Sequence, residues 1–167
     1  MKLGVVLSEF VQPTLAELVL QDLNAFIAST GDQQCDCIED AIRSTHIQQL
    51  ITNAQKKGKG KKQKFKDAQV NILTSRSGIM NIDITLYCSL YTLTGQRNIT
   101  HVKSDSVLNN NDYSTPDICI GKLRHIRNAV SHTAFPVDEA DFKRFFAIMI
   151  TCPDNICPTK IKRKQIY

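Results

Sequence analysis

The chain has 167 residues, of which 42% are hydrophobic and 22% charged, and it carries a formal net charge of +5. This length suits one domain with a hydrophobic core of its own, so the six cysteines are not needed as a disulfide framework. The sequence contains neither a secretory signal nor the run of ~20 apolar residues that a membrane helix needs. These features predict an intracellular, cytoplasmic protein with reduced thiols and no membrane partner.

The positive charge is concentrated in one short segment, residues 56–66. Its lysines exceed the whole net charge and leave the rest of the chain at −2. They are Lys56, Lys57, Lys59, Lys61, Lys62, Lys64 and Lys66. A positive field concentrated in a flexible segment suits a polyanion such as nucleic acid, although a solvated loop that only keeps the protein soluble has the same composition.

A first helix is predicted between Pro13 and Gly31. Thr14 and Glu17 have the spacing of a capping box, and glycine commonly follows a helix end. The apolar face of this helix consists of Leu15, Leu18, Val19, Leu23, Phe26 and Ile27. We expect residues 3–11 to add a turn or two, kinked at the proline.

A second helix is predicted to begin near Asp36 and to end in the lysine segment. Its weaker apolar stripe consists of Ile38, Ala41, Ile42, Leu50, Ile51 and Ala54. Gly58 and Gly60 discourage regular structure. We therefore expect residues 56–78 to form a long, basic, flexible loop.

Residues 79–94 fit two patterns. A strand-like alternation runs through Ile82, Ile84, Leu86 and Cys88. A helical period runs through Ile79, Ile82, Leu86, Leu90 and Leu93, with Asn81 as a cap and Gly95 as a stop. The length of the stretch favours a helix. The polar residues 96–115 are expected to form a loop.

Two further helices are predicted in the last third of the chain. The first runs from about Pro116 to Ala134 with Thr115 as its cap, and the second begins around Asp138. The second helix is predicted to bury Phe142, Phe145, Phe146, Met149 and Ile150. After Cys152 the chain is expected to become irregular because two prolines follow.

The order of these elements predicts an all-α bundle of about four to five helices with a long basic loop. We assign residues 1–152 to this domain and residues 153–167 to a basic C-terminal tail or linker.

The helix over residues 116–134 carries the candidate chemistry. At about 100° per residue, it has one apolar arc and one polar arc. The apolar arc consists of Ile120, Leu123, Ile126, Ala129, Val130 and Thr133. The polar arc consists of Arg124, His125, Arg127, Asn128, Ser131 and His132. Asn128 and His132 are one turn apart, and Arg127 borders the polar arc.

An arginine, an amide and a histidine on one helix suit phosphodiester chemistry. A guanidinium can bind phosphate oxygens and stabilise developing charge. A histidine with a pKa near ~6.5 can transfer protons at neutral pH. RNA supplies its own nucleophile, the 2′-hydroxyl, so neither a metal nor another cofactor is required. On spacing alone, however, a solvated helix face with ordinary polar residues is favoured, because an arginine and a histidine five residues apart are common.

Arg127, Asn128 and His132 resemble the R-x4–6-H motif of HEPN domains, in which a polar residue usually follows the arginine. Residues 81–87 and 122–128 resemble two blocks of the HEPN class found in an RNA-binding RING ubiquitin ligase and in many invertebrate multidomain proteins. The resemblance covers roughly residues 14–152. It implies an all-helical bundle and favours a helix at residues 79–94.

The resemblance also implies a function. Active HEPN domains are metal-independent endoribonucleases that leave a 2′,3′-cyclic phosphate, and they act as dimers with a composite cleft. By this resemblance Arg127 would clamp the phosphate, His132 would act as general acid or base, and Asn128 would orient them. Arg124, His125 and the seven lysines would then add contacts to RNA.

Two alternatives stay open. Many HEPN relatives are inactive modules for dimerisation or for protein and RNA interaction, within larger regulatory or immune-type proteins with further domains. The second alternative is an unrelated basic helical bundle that binds nucleic acid through its lysines. A zinc site shared by Cys35, Cys37, Cys152 and Cys157 is disfavoured, because the spacings are not the usual x2 pairs.

Overall fold

A computed structural model of the chain describes residues 3–55, 65–75, 82–94, 106–132 and 137–156, with the backbone alone at residues 106, 107 and 132. Every regular element within these ranges is helical, which confirms the all-α fold class. The chain divides into two compact units. The first unit comprises Met1–Leu15 with Asn98–Tyr167, and the second comprises Ala16–Arg97.

The N-terminal helical run contains a proline that does not end it. Helix α1 (Leu3–Val6) leads through a π-helical turn (Leu7–Val11) into α2 (Gln12–Ser29). The wider turn lies immediately before Pro13, where an ordinary α-helical turn would bring the proline ring against a carbonyl group. Because the helix runs through Thr14, the predicted capping box of Thr14 and Glu17 is wrong. The Thr14 hydroxyl instead donates to the carbonyl oxygen of Phe10 at 3.0 Å.

The predicted end of this helix at Gly31 is confirmed. Gly31 has φ of 90°, in the left-handed region that glycine adopts without a steric penalty. Its N–H donates to the Ala28 carbonyl at 3.1 Å, and the Asp32 N–H donates to the Ile27 carbonyl at 3.4 Å. These two bonds form a Schellman motif, which satisfies the last carbonyls of the helix.

The same run is longer and more apolar than the sequence patterns indicated. Leu3–Ser29 spans 27 residues, and its most apolar window has a mean hydropathy of 1.5, so by length and composition it passes the test for a membrane-crossing helix. Its apolar side chains also supply a large part of the buried core. They are Leu3, Val6, Leu7, Val11, Leu15, Leu18, Val19, Leu23 and Ile27.

The predicted second helix is two helices. Helix α3 (Ile38–Arg43) ends where Ser44 adopts an extended ψ of 144°, and α4 (Thr45–Gln55) restarts in a different register. Ile47 and Ile51 are consequently buried, whereas Leu50 is only half-buried, against the predicted stripe. Tertiary contacts stabilise the break, because the Gln48 amide donates to the carbonyl oxygens of Ile42 and Leu73 at 2.7 and 3.2 Å.

The predicted loop over residues 56–78 contains a helix, α5 (Asp67–Thr74). Gln69 caps it by accepting a hydrogen bond from the Lys66 backbone N–H at 2.9 Å. Phe65, Val70 and Leu73 are buried and hold this segment in the second unit. The sequence patterns did not predict this short apolar segment, because it directly follows the lysine-rich residues. The rest of the predicted loop, residues 56–64 and 76–78, lies outside the described residues.

The ambiguous stretch forms a helix, α6 (Ile84–Tyr91), as the resemblance implied. Its cap is Asp83, whose carboxylate accepts from the Leu86 N–H at 2.9 Å, and not Asn81, which lies outside the described residues. The buried side chains of α6 surround most of the helix: Ile84, Leu86, Tyr87, Cys88, Leu90 and Tyr91. A helix buried on nearly all sides satisfies both apolar patterns, which explains the ambiguity.

Three of the described helices lie in the C-terminal part of the first unit. A short helix, α7 (Ser106–Asn109), lies in the predicted loop over residues 96–115, of which residues 96–105 are outside the described ranges. Helix α8 (Pro116–His132) begins at its predicted cap, since Thr115 Oγ1 accepts from the Ile118 N–H at 3.3 Å. Helix α9 (Glu139–Ile156) begins at Asp138, whose carboxylate accepts from the Asp141 N–H at 2.7 Å.

Helix α9 differs from its prediction in length and in register. It continues through Pro153 to Ile156, so the chain does not become irregular after Cys152. Phe145 and Met149 are buried as predicted, but Phe142, Phe146 and Ile150 are half-buried. The buried face is rotated toward Ile148, Cys152 and Ile156 because α9 packs against α8 on one side and against α1 and the π-helical turn on another.

Candidate functional site

Helix α8 is anchored by its apolar side. Cys119, Ile120, Leu123 and Ile126 are fully buried where α8 packs against α9. The Thr115 cap and Pro116 fix the start of the helix, since the hydroxyl satisfies a free N–H and proline needs no partner there. The polar arc therefore projects from a helix whose position is set by the core.

The structure brings Arg127 and Asn128 together at the surface of this helix. Arg127 is half-buried and Asn128 is exposed. The Arg127 guanidinium donates to Asn128 Oδ1 at 3.3 Å. This bond joins one edge of the guanidinium to the amide of the next residue.

His132 is the last residue of α8, and its side chain lies outside the described part of the structure. Its position on the helical wheel follows from the helical backbone. At about 100° per residue, this position is about 40° from that of Asn128 but about 140° from that of Arg127.

Arg124 and His125 are half-buried and lie on the same side of α8 as Asn128. Arg124, Asn128 and His132 follow one another at intervals of four residues and form a single row along the helix. This row, with His125 beside it, places a guanidinium and an imidazole where a polyanion can reach both.

Six of the seven lysines predicted to bind nucleic acid lie outside the described residues. The six are Lys56, Lys57, Lys59, Lys61, Lys62 and Lys64. Lys66 is described and exposed, at the N-terminal end of α5. Lys66 is thus open to an anionic partner, while the other six lysines remain a prediction.

A buried lysine, which the sequence patterns did not single out, lies within the apolar arc of α8. Lys122 is fully buried, and its ammonium donates to the carbonyl oxygen of Asn110 at 2.6 Å. The ammonium also lies 3.8 Å from the centre of the Tyr113 ring, a cation–π contact. The helical pattern contained a signal, because Lys122 falls within the apolar arc, near Ile126 and Ala129.

Two thiols share this buried region with Lys122. Cys119 and Cys152 are fully buried, one on α8 and the other on α9. The interaction with Cys152 lowers the pKa of Cys119, and the charge of Lys122 lowers it further. The pKa of Cys152 is raised by Cys119 and by burial. Burial and both thiols raise the pKa of Tyr113.

Arg144 on α9 is a second charged residue whose role was not evident from sequence. Its guanidinium donates to Asn109 Oδ1 at 2.5 Å and to the Asp141 carboxylate at 2.6 Å. The bond to Asn109 connects α9 to the end of α7, and the bond to Asp141 lies within α9, so Arg144 has a structural role and does not belong to the polar row of α8.

The second unit carries a polar groove of about 590 Å³ along α4. Hydroxyl and amide groups and one guanidinium line it: Arg43, Thr45, Gln48, Gln49, Thr52 and Asn53. Such groups can bind sugar and phosphate oxygens. The groove lies on the helix that directly precedes the lysine segment, although periodicity alone gave no reason to single it out.

Within the described ranges, no three His, Cys, Asp or Glu side chains are grouped so that they could hold a metal ion. Cys35 and Cys37 both precede α3, and Asn24 binds the backbone of Cys35 through two hydrogen bonds of 2.8 Å. Cys157 lies outside those ranges.

No family model, no curated protein and no solved structure matches the chain. The functional interpretation is therefore based on the chemistry of α8 and on the short motif that it carries.

Proposed function

We propose that the chain is a HEPN-type RNA-binding domain with metal-independent endoribonuclease activity. The observation that carries the proposal is the Arg127–Asn128 pair, hydrogen-bonded at 3.3 Å on the accessible side of a helix whose other side is fully buried. A guanidinium with one edge on a neighbouring amide can bind phosphate oxygens through its other N–H groups.

The proposed reaction uses the RNA itself as the source of the nucleophile. The 2′-hydroxyl oxygen attacks the adjacent phosphorus as a base removes its proton, and the bond to the 5′-oxygen breaks as that oxygen gains a proton. The products are a 2′,3′-cyclic phosphate and a 5′-hydroxyl. Arg127 stabilises charge on the non-bridging oxygens, and His132 transfers a proton as general acid or base.

The positions of Arg127 and His132 on the helical wheel of α8 support a composite cleft between two copies of the chain. The two positions are about 140° apart around the helix axis. Two α8 helices that face each other across a two-fold axis can bring Arg127 of one chain toward His132 of the other. We therefore propose that the active species is a symmetric homodimer.

Binding of the RNA strand outside this cleft would use the remaining positive charge. Arg124 and His125 lie next to Asn128 on α8, and the lysine segment follows α4 and its polar groove. Such phosphate contacts add affinity without base specificity. The proposed substrate is thus single-stranded RNA of no fixed sequence.

The decisive experiment measures RNA cleavage in EDTA with three matched changes. Replacing the 2′-hydroxyl at the scissile nucleotide with hydrogen should abolish cleavage, because that oxygen is the nucleophile. His132→Ala should lower the rate about 10²–10⁴-fold, the usual effect of removing a general acid–base group. Arg127→Lys should also lose rate, because an ammonium keeps the charge but not the planar fork.

His46→Ala is the control for loss of a histidine, since His46 belongs to the second unit and is bonded to Asp32 at 2.8 Å. It should retain wild-type cleavage. Full activity in His132→Ala would overturn the catalytic assignment. A wild-type chain that dimerises and binds RNA but never cleaves it would identify the inactive module that the sequence left as an alternative.

A further inference from the structure

A stripe of uncharged polar side chains runs along one side of α4, within the second unit. With the i, i+3, i+4, i+7, i+8 spacing of a single helix face, it consists of Thr45, Gln48, Gln49, Thr52 and Asn53. Ile47 and Ile51 are buried on another side of the same helix. All five stripe residues line the groove of about 590 Å³, a volume in the range of ligand sites. The stripe is about 12 Å long, so the groove can hold a ligand longer than a single sugar ring.

Two side chains of the stripe offer a ligand hydrogen-bond acceptors. The hydrogens of the Gln48 amide are already used, because its nitrogen donates to the carbonyl oxygens of Ile42 and Leu73 at 2.7 and 3.2 Å. The Thr52 hydroxyl donates its hydrogen to the Gln48 backbone carbonyl at 2.9 Å. Gln48 Oε1 and Thr52 Oγ1 can therefore only accept from a ligand. The ligand group that matches them is a donor such as a sugar hydroxyl.

The charge of the groove indicates the other part of the ligand. Arg43, at the end of α3, adds a guanidinium to the groove. Its ion pair with Asp40 is long, at 4.0 Å, and exposed, so a phosphate can take the place of the carboxylate at little cost. The described residues that line the groove include neither a carboxylate to bind a cation nor an aromatic ring to stack on a base. These groups fit a sugar that carries a phosphate.

We propose that the groove binds the ribose–phosphate backbone of single-stranded RNA and distinguishes RNA from DNA through the 2′-hydroxyl. The 2′-hydroxyl donates to Gln48 Oε1 or Thr52 Oγ1, and Arg43 binds a phosphate of the same strand. DNA has no such donor and leaves both acceptors without a partner. The choice of RNA rests on the proposed function and on the sequence, in which the lysine segment directly follows α4. The inference concerns binding and does not use the cleavage chemistry of α8.

The first test compares three short single strands of one base sequence: RNA, its 2′-fluoro analogue and DNA. The 2′-fluoro strand keeps the sugar pucker of RNA but has no 2′-hydroxyl to donate. Fluorescence anisotropy at one salt concentration measures each Kd on the full chain carrying His132→Ala, so that cleavage does not consume the RNA. RNA should bind roughly tenfold more tightly than either other strand, because these lose one or two hydrogen bonds. Equal affinity for RNA and its 2′-fluoro analogue would overturn the inference.

The second test assigns the preference to the groove. Thr52→Val removes the hydroxyl and keeps the shape of the side chain, so it should weaken RNA binding about three- to tenfold and leave DNA binding unchanged. Thr52→Ser keeps the hydroxyl and should retain the preference for RNA. Thr74→Val is the matched control, because the exposed Thr74 also donates to its own helix, at 2.9 Å from the Val70 carbonyl, but does not line the groove. If Thr52→Val has no effect, or weakens RNA and DNA binding equally, the groove does not contact the 2′-hydroxyl.

Arg43→Gln separates the phosphate contact from the sugar contact. It should weaken RNA and DNA binding by the same factor, about three- to tenfold, whereas Arg43→Lys keeps the charge and should lose less. Failure of the proposed nuclease is a different outcome, since wild-type chain that binds RNA with this preference but never cleaves it supports the groove. RNA that is cleaved by the wild type but bound equally well by Thr52→Val and Arg43→Gln overturns the groove alone. A chain that binds no RNA overturns both.

Discussion

Lys122 contributes to stability through a balance between its buried charge and two specific contacts. Shortening it in Lys122→Ala removes the hydrogen bond to Asn110 and the contact with Tyr113, and it leaves a cavity beside α9. We expect a loss of about 2–4 kcal/mol in the free energy of unfolding, measured by urea denaturation. Lys122→Met fills the same volume and should cost no more than about 1 kcal/mol. Equal losses in both variants would show that volume does not matter at this position.

The structural role of a polar residue was predicted where its partner is close in sequence. It was missed where the partner is distant in sequence. Thr115 and Asp138 were placed at helix starts from sequence because a cap reaches only two or three residues along the chain. Lys122 and Arg144 have partners at Asn110 and Asn109, which only the packing of α8 and α9 brings near. The pattern indicated a polar arc around Arg127, but not that its amide neighbour would accept a bond from the guanidinium.

Helix α6 provides a test of the corrected cap. Asp83→Ala removes the oxygen that accepts from the Leu86 N–H, and it should reduce the free energy of unfolding by about 1 kcal/mol. Asp83→Asn is the matched control and should be close to wild type, since asparagine caps helices equally well. Chemical denaturation measures both. A stable alanine variant would mean that the end of α6 has no need of this side chain.

The ends of a helix were predictable where the residue that begins or ends the helix does so through its own backbone or side chain. Gly31 ends α2 through its own backbone conformation, and Thr115 begins α8 through its own hydroxyl. The break at Ser44 is different, because Gln48 satisfies carbonyl groups on two other helices across it. The apolar pattern also did not predict that the helix continues through Pro13, because a π-helical turn accommodates the proline. Non-local bonds and unusual turns are not encoded in a periodic pattern.

The charge of the whole molecule gives a prediction about RNA affinity. If all seven lysines of residues 56–66 bind phosphates, changing them together to glutamine should weaken single-stranded RNA binding. It should also reduce the slope of log K against log salt by at most about 5. Changing the same residues to arginine keeps the charge and should preserve the slope. An unchanged slope in the glutamine variant would identify the segment as a solubility feature only.

The proposed dimer can be tested by mixing two inactive variants. If each site takes Arg127 from one chain and His132 from the other, then Arg127→Ala and His132→Ala homodimers both lack an intact site. In a mixed dimer, the arginine of the His132→Ala chain meets the histidine of the Arg127→Ala chain, and one of the two sites is whole. Half of the dimers are mixed after random exchange, so about a quarter of the wild-type cleavage rate should return. Exchange is followed by native mass measurement, and the double variant mixed with wild type is the control for subunit exchange. Exchange without recovery of cleavage would mean that Arg127 and His132 act within one chain, or not at all.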